Sequence, residues 1–314
     1  MSGGIVLGID TSNYTTSLAV LTESGELLAN IKRPLPVKDG ERGLRQSDAV
    51  FHHTKNLPSA FSEAESVING KKILAIGVSE RPRNIDGSYM PCFLAGVSSA
   101  TAASVALGVP LYRFSHQCGH IMAAIYSCGK KELLDGNFAA FHVSGGTTDL
   151  LTITPAENGF FANRVGGTAD LNAGQVVDRI GVAMGLRFPC GPELEELALS
   201  YAGKNQHKPI SRKGLSINLS GLENMTLKLL KDTNDKSAAA SFVFDYLGRA
   251  ISELSEAYVR EYGNTHFVYA GGVMCNSIIK KMLSKRFDCS FAEPSMSADN
   301  AVGIASLALR AYNK

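Results

Sequence analysis

None of the six cysteines (Cys92, Cys118, Cys128, Cys190, Cys275 and Cys289) forms a CxxC pair, and no secretory signal precedes them. A disulfide framework is therefore not expected, whereas free thiols in a reduced, cytoplasmic setting are. Also missing is any uninterrupted apolar run near the roughly 20 residues of a membrane span, so the expectation is a soluble protein with no membrane partner. Net charge is nearly absent as well. With 31 basic and 29 acidic residues the chain carries +2, which leaves only a local patch to attract nucleic acid. What remains is ordinary globular composition: 314 residues, 45% hydrophobic and 19% charged, enough for a sizeable core shared by two domains or lobes.

The stretch FHVSGGTTDLL, residues 141–151, places Gly145 and Gly146 between two strand-like runs. A bend without side chains lets a ligand approach bare backbone, with Ser144, Thr147 and Thr148 supplying hydroxyls, and phosphate suits such a bend. A plain hairpin is the competing reading, because Gly-Gly also favours a type I′ turn. A repeat weighs against it. DTSNYTTSLAVLT at 10–22 aligns without a gap on HVSGGTTDLLTIT at 142–154, an offset of 132 residues. Ser12 meets Ser144, Thr15 and Thr16 meet Thr147 and Thr148, Leu18 meets Leu150, and Thr22 meets Thr154. Related hairpins in successive halves of a chain point to duplicated lobes that clasp one ligand across a central cleft. A third glycine pair follows a strand in THFVYAGGVMCNSIIKKML, where Gly271 and Gly272 lead into a helix and Asn276 is expected to point inward.

In this order the three parts resemble the nucleotide-holding elements of the actin, hexokinase and heat-shock ATPase superfold, and Asp10 resembles that superfold's magnesium-holding acid. The expectation is an α/β protein with duplicated βββαβα lobes. Residues 1–130 would form the N-terminal lobe, with a C-terminal helix at 300–314 packing back on it, and 131–299 the C-terminal lobe. The pattern between the landmarks agrees: a strand at 71–79, a small-residue helix at 94–107, a strand at 109–114, and helical spacing in ADLNAGQVVDRIGVAMGL and GPELEELALSYAG. SAAASFVFDYLGRAISELSEAYVREYG reads as a long amphipathic helix ended by Gly263. GKNQHKPISRKG at 203–214 is polar and basic without periodicity, hence an exposed loop that is either solvated or in contact with an RNA backbone.

Directly after VPLYRF comes SHQCGHIMAAIYS, in which Ser115 is placed to cap a helix. His116 and His120, four apart, share one helical face and can bind one metal, although two surface histidines also reach that spacing by chance. HQCGH at 116–120, VSGGTTDL at 143–150, GQVVDRIGVAMGLRFPCGPELEELA at 174–198, LSGLEN at 219–224, AGGVMCN at 270–276 and SADNAVGIA at 297–305 together resemble the TsaD/Gcp family, in the same order and over nearly the whole chain. That family transfers a threonylcarbamoyl group from threonylcarbamoyl-adenylate onto N6 of the adenine at position 37 of tRNA, and holds an iron or zinc ion.

By position, the resemblance makes His116, His120 and Asp299 metal ligands, with His142 standing where some members supply a tyrosine. It makes His142, Val143, Ser144, Gly145 and Gly146 the loop around the acyl-adenylate phosphate and the metal. Asp178, Gly191, Glu195 and Asn276, together with Gly271 and Gly272, become nucleotide-binding positions, and His116, His120 and Asp10 the catalytic set. An adenine nucleotide or acyl-adenylate, with magnesium, is implied, as are tRNA, TsaB-like and ATPase accessory subunits, and a homo- or heterodimer. The older peptidase label of the family finds no support, because the HExxH glutamate is absent and Gln117 follows His116.

The chain also departs from the family pattern. Asn13, Tyr14 and Thr15 stand where Cys-Asp-Glu is usual, and SERPRNIDGSYMPCFLAG (79–96), with Arg81 and Arg83, replaces a GPG loop. Thr147, Cys190 and Glu223 replace a His or Asn, a glycine and a lysine. These departures mark a divergent paralogue and keep two other readings open: O-carbamoylation of a small molecule, and a non-catalytic nucleotide-binding scaffold paired with a true family member. The retained HxxxH pair argues against the scaffold.

Overall fold

The computed structural model describes residues 3–12, 14–36 and 44–314, and the chain divides into two compact units. Asn13, the first of the three departures at the opening bend, lies outside the described residues. The first unit runs to Gly136 and takes in Thr154–Ala162 and Ser295–Lys314, while the second comprises Asn137–Ile153 and Asn163–Pro294.

In the first unit the elements are β1 (Ile5–Ser12), β2 (Thr15–Thr22), β3 (Leu27–Pro34), α1 (Gln46–Ile68), β4 (Ile73–Arg81), α2 (Phe93–Leu107), β5 (Leu111–Ser115) and α3 (His116–Cys128). The sheet order is β3-β2-β1-β4-β5. β1 and β2 pair antiparallel, as do β2 and β3, whereas β1, β4 and β5 run parallel. β1 is buried along its whole length because both faces are covered, which is why it reads as an apolar run rather than an alternation. Ile5, Leu7 and Ile9 pack on Leu57, Ala60 and Ala64 of α1 and on Ala95 and Ala100 of α2. Val6 points the other way, onto Ala308 and Leu309.

The second unit follows with β6 (Phe138–Val143), β7 (Thr148–Ala156), β8 (Gly159–Thr168), α4 (Ala173–Ala183), α5 (Gly191–Ser200), β9 (Arg212–Lys213), β10 (Ser216–Ile217), α6 (Ser220–Thr233), α7 (Lys236–Tyr262), β11 (Phe267–Ala270), α8 (Ser277–Ser284) and β12 (Cys289–Phe291). α9 (Pro294–Ser297) and α10 (Val302–Tyr312) close the chain. The sheet order is β12-β11-β6-β7-β8-β10-β9. Read from β8 to β12 it repeats the order of the first unit, with β6 antiparallel to β7 and parallel to β11. The sequence repeat is thus a repeat of topology, down to the bends: Ser12 pairs with Thr15, and Ser144 N donates to Thr147 O at 2.8 Å. Phe141, Phe267 and Tyr269 of this sheet pack with Val176 and Ile180 of α4, Leu194 of α5, and Phe244, Leu247 and Ile251 of α7. Each such fully buried side chain contributes about 1.5–3 kcal/mol. α7 starts on Asp235, whose carboxylate accepts from Ala238 N at 3.0 Å, and stops at Gly263 with φ +88.

Four local expectations change. Neither Gly145 nor Gly146 adopts a left-handed φ, so the bend is not a type I′ turn. After the third glycine pair a short 3-10 turn, Gly272–Cys275, intervenes and α8 begins only at Ser277, where the Asn276 side chain can cap it. The 203–214 segment is exposed as expected but ends in β9, which pairs with β10. The β7–β8 bend, residues 154–162, groups with the first unit rather than within a continuous 131–299 lobe. Lys314 Nζ donates to Ala156 O at 3.2 Å, and the Cys118 thiol to Phe160 O at 4.0 Å.

α10 packs on α3 so closely that a Cβ on Gly303 would collide with the Gly119 carbonyl. This backbone contact fixes the segment just before α10 beside the first turn of α3, and both carry site residues.

Candidate metal centre and nucleotide cradle

β5 delivers the chain to the start of α3. Ser115 holds that start, its Oγ accepting from Cys118 N at 3.2 Å, and the 82–92 loop docks on it through Gln117 N to Pro82 O at 3.0 Å and Asn84 Nδ2 to Cys118 Sγ at 3.3 Å. His116 and His120 then lie one turn apart with Nε2 atoms 3.0 Å from each other. Asp299 Oδ1 is 3.2 Å from His120 Nε2 and 3.5 Å from His116 Nε2. Asn300 braces its segment, donating to Met296 O at 2.9 Å and Ala298 O at 2.8 Å while accepting from Val302 N at 3.0 Å.

Behind this triangle, His116 Nδ1 donates to Asp10 Oδ2 at 2.6 Å, and Ser79 Oγ donates to Asp10 Oδ1 at 2.8 Å. Asp10 and Ser79 are 1% and 0% exposed, so the relay is dry. Both oxygens of Asp10 are engaged, and its bond to Nδ1 turns Nε2 toward the triangle, where a metal would displace the Nε2 proton and Asp10 would fix the tautomer. Burial pulls the His116 pKa down, but the charges of Asp10 and Asp299 outweigh it and push it up to about 10. Burial raises the Asp299 carboxyl, and the hydrogen bonds from His116 and His120 outweigh that and hold it well below the usual carboxylate range.

Among the described residues, His116, His120 and Asp299 each offer one ligand atom, and these atoms lie within 4.8 Å of one another. With bonds of about 2.1 Å, the donors of a tetrahedral site lie about 3.4 Å apart. The three separations match that spacing, and two imidazoles with one carboxylate are a donor set for zinc or ferrous iron. The residues present fit a divalent metal.

The remaining predicted residues all fall in the second unit. His142 is buried on β6, paired with Asp149 of β7 and Ala270 of β11. The Ser144–Thr147 bend backs onto the start of α4: Gly174 N donates to Ser144 O at 3.2 Å, and a Cβ on Gly174 would stand 2.7 Å from Gly145 Cα. Gly271 has φ +97 and lies flat on Val143, whose carbonyl a Cβ would strike, so no other residue fits there. Asn276 Oδ1 accepts from Ile278 N and Ile279 N at 3.1 Å each. Its Nδ2 is buried and has no hydrogen-bond partner, an orphan donor that a ligand oxygen or ring nitrogen would satisfy. Glu195 Oε1 accepts from Ser277 N at 2.7 Å and Ser277 Oγ at 2.6 Å. Asp178 accepts from Cys190 N at 2.9 Å, next to Gly191 at the start of α5; burial raises its pKa against that hydrogen bond. Bends free of Cβ atoms, a helix start and an orphan amide are the features a nucleotide cradle would use.

The protein-family model described as "tRNA N6-adenosine threonylcarbamoyltransferase", TsaD, matches residues 30–306. The chain belongs to the TsaD family. A relative from Streptococcus suis (strain 05ZYH33) with that same description is 29% identical over 331 residues, spanning 100% of this chain and 94% of its own. Among solved structures, HypF of T. kodakarensis superposes with a TM-score of 0.63 at 14% identity over 99% of this chain and 47% of its own, so this chain spans about half of that one. A ROK family glucokinase from Streptomyces griseus gives 0.52 at 14% identity, over 97% of this chain and 99% of its own. These two likenesses establish the α/β fold of the actin, hexokinase and heat-shock ATPase superfold.

Two buried polar residues of the first unit were not legible in the sequence. Ser79 ends the apolar run ILAIGVS, where a hydroxyl among aliphatics was the available signal. His53 on α1 is fully buried with Nδ1 2.8 Å from Thr16 Oγ1, and only its place in the helical spacing could have marked it as inward.

Proposed function

We propose that this TsaD-family chain moves a threonylcarbamoyl group from threonylcarbamoyl-adenylate to N6 of adenosine 37 in tRNA, with a divalent metal held by His116, His120 and Asp299. The observation that carries the reading is the donor triangle backed by Asp10 and Ser79, in a chain matched by the family model over residues 30–306. The metal, iron or zinc, would supply Lewis-acid polarisation of a carbonyl or phosphoryl oxygen. Asp10 holds the His116 imidazole in one tautomer, and Ser79 holds Asp10. In the second unit, Asn276 and the backbone of Val143–Gly146 and Gly271–Gly272 bind the adenylate, with Asp178 and Glu195 fixing the segments that carry Gly191 and Ser277. His142 is a further candidate ligand. In the reaction the adenosine N6 amine attacks the carbamoyl carbon, the bond from that carbon to the phosphate oxygen breaks, AMP leaves, and the amine loses a proton. The chain has no need of a covalent enzyme intermediate. A cytoplasmic setting and TsaB-like and ATPase accessory subunits complete the reading.

Two observations favour a second acceptor. Tyr14 and Thr15 bring no carboxylate to the bend after Asp10, and the 82–92 loop docks directly on the helix turn bearing His116. Both change what reaches the acyl group, as O-carbamoylation of a small molecule would require.

The test couples metal analysis of the purified protein to a transfer assay with threonine, bicarbonate, ATP, the adenylate-forming synthase and unmodified tRNA, with and without accessory subunits. Modified adenosine and about one metal per chain are expected. Bound metal and nucleotide with unmodified tRNA throughout would overturn the tRNA acceptor and move the search to small molecules.

A further inference from the structure

The segment from Gly203 to Gly214 contains Lys204, Lys208, Arg212 and Lys213, also His207, and no acidic residue. In a chain of 31 basic and 29 acidic residues this is a local concentration of charge. The structure shows that it is not a loose tail. Asn205 Nδ2 donates to Ser241 Oγ at 2.9 Å, Arg249 Nη1 to Lys208 O at 2.9 Å, Tyr246 Oη to Pro209 O at 3.4 Å, and Asn218 N to Ser211 O at 2.9 Å. These bonds tie the segment to α7 and to the approach to α6, while Lys204, His207, Lys208, Arg212 and Lys213 all face solvent. Among the described residues, Lys204, Lys208 and Lys213 enter no ion pair, whereas Arg212 has Glu253 at 3.6 Å.

A solvated surface would account for exposed lysines, but it does not require three backbone anchors and a side-chain anchor beneath them. Holding like charges in a fixed row costs electrostatic energy unless an anion meets them. The row also has a form. Lys204 and Lys213 are nine steps of chain apart, at most about 30 Å, and the four cations occupy separate exposed positions along that length. That arrangement suits a polyanion with repeating charge, not one phosphate group. The segment begins where α5 ends, and the opposite end of α5 holds Gly191 of the cradle; ten residues of helix separate the two by about 15 Å.

We propose that this anchored basic ridge docks the sugar-phosphate backbone of the acceptor RNA, which positions the substrate without reading its bases. The inference rests on the tRNA reading of the preceding section and adds a binding surface to it. The lysine side chains are free of structural duties, because the anchors use backbone carbonyls and other side chains, so they can be exchanged without loosening the loop.

The experiment is binding of unmodified tRNA to the full chain over a series of salt concentrations, for the wild type, the Lys204→Gln, Lys208→Gln, Lys213→Gln triple variant, and the corresponding triple arginine variant. Adenine-nucleotide affinity is measured on the same samples. The glutamine variant is expected to bind tRNA at least about tenfold more weakly at 0.1 M salt, with the slope of log affinity against log salt reduced by about 2 to 3. The arginine variant should keep both, and nucleotide affinity should be equal in all three. If the wild type binds tRNA with a steep salt slope and the glutamine variant matches it, the ridge is not the docking surface and the acceptor reading stands. If the wild type shows no salt-sensitive tRNA binding and no tRNA modification, both are overturned together.

Discussion

The two bends that repeat in sequence carry opposite chemistry. Beside the first, β1 and β4 present side chains: Asp10 and Ser79 are buried and bonded into a relay that ends on His116. At the second, β6 and β11 end in bare backbone, with Gly145 against Gly174 and Gly271 against Val143. Both bends hang from the same strand order. A carboxylate and imidazoles are a donor set that suits a cation, whereas backbone without Cβ atoms is the kind of surface that suits a phosphate. The repeated strand order is therefore a common scaffold, and the side chains present or missing at each strand end give the two copies different chemistry.

The sharpest way to break this contrast is to remove the side chains from the first copy. Replacing His116 and His120 together by Ala is expected to abolish metal retention and transfer while leaving nucleotide affinity in the second unit unchanged; a doubly substituted protein that keeps its metal would end the assignment. Next in size is Asp10→Asn. It leaves the His116 hydrogen-bond geometry possible but removes the charge that holds its tautomer, and losses of about 10–100-fold in metal affinity or activity are expected. Metal titration and steady-state transfer rates check it, and equal values in variant and wild type would reduce Asp10 to a packing residue.

A smaller effect should come from the second copy. Asn276 does two jobs, capping α8 with Oδ1 and offering a free Nδ2. Asn276→Ala removes both and costs about 1 kcal/mol of helix stability. Asn276→Asp keeps the capping oxygen but replaces the donor with a carboxylate oxygen and a negative charge, so it should largely keep the melting temperature and weaken adenine-nucleotide binding by about tenfold or more. Calorimetric titration separates the two; unchanged nucleotide affinity in the Asp variant would make the residue a cap and nothing more.

The sequence showed most of this contrast because both copies leave short-range signatures. Glycine pairs between strand-like runs and an HxxxH spacing need no knowledge of the fold, and the positions of α3, α4, α5 and α7 follow from helical periodicity and glycine stops. What stayed hidden depends on long-range register. Ser79 matters only because β4 pairs with β1 and brings its hydroxyl to Asp10, a partner 69 residues away. The start of α8 shifted because Gly271, at φ +97, cannot begin a helix, and Asn276 supplies the cap that Gly272 lacks. The β7–β8 bend joined the first unit through contacts with the chain's last residues, which no local pattern records.

A further effect, and one that isolates the first copy, concerns protons. In metal-free protein His116 holds its proton up to about pH 10, because the charges of Asp10 and Asp299 outweigh burial, whereas in the unfolded chain it titrates near 6.5. A group whose folded pKa is raised contributes stability fully below the unfolded value and loses it as pH rises through the folded one. Chelator-treated wild type should therefore lose stability relative to His116→Gln between pH 6.5 and 10, and metal, which displaces the same proton, should bind more tightly across that window. The backbone of the second bend has nothing to titrate, so the difference between the two proteins reports the His116 relay alone. Denaturant midpoints of both proteins at pH 6, 8 and 10 measure it, and a constant difference over the three would show that the Asp10–His116 pair carries no net charge coupling.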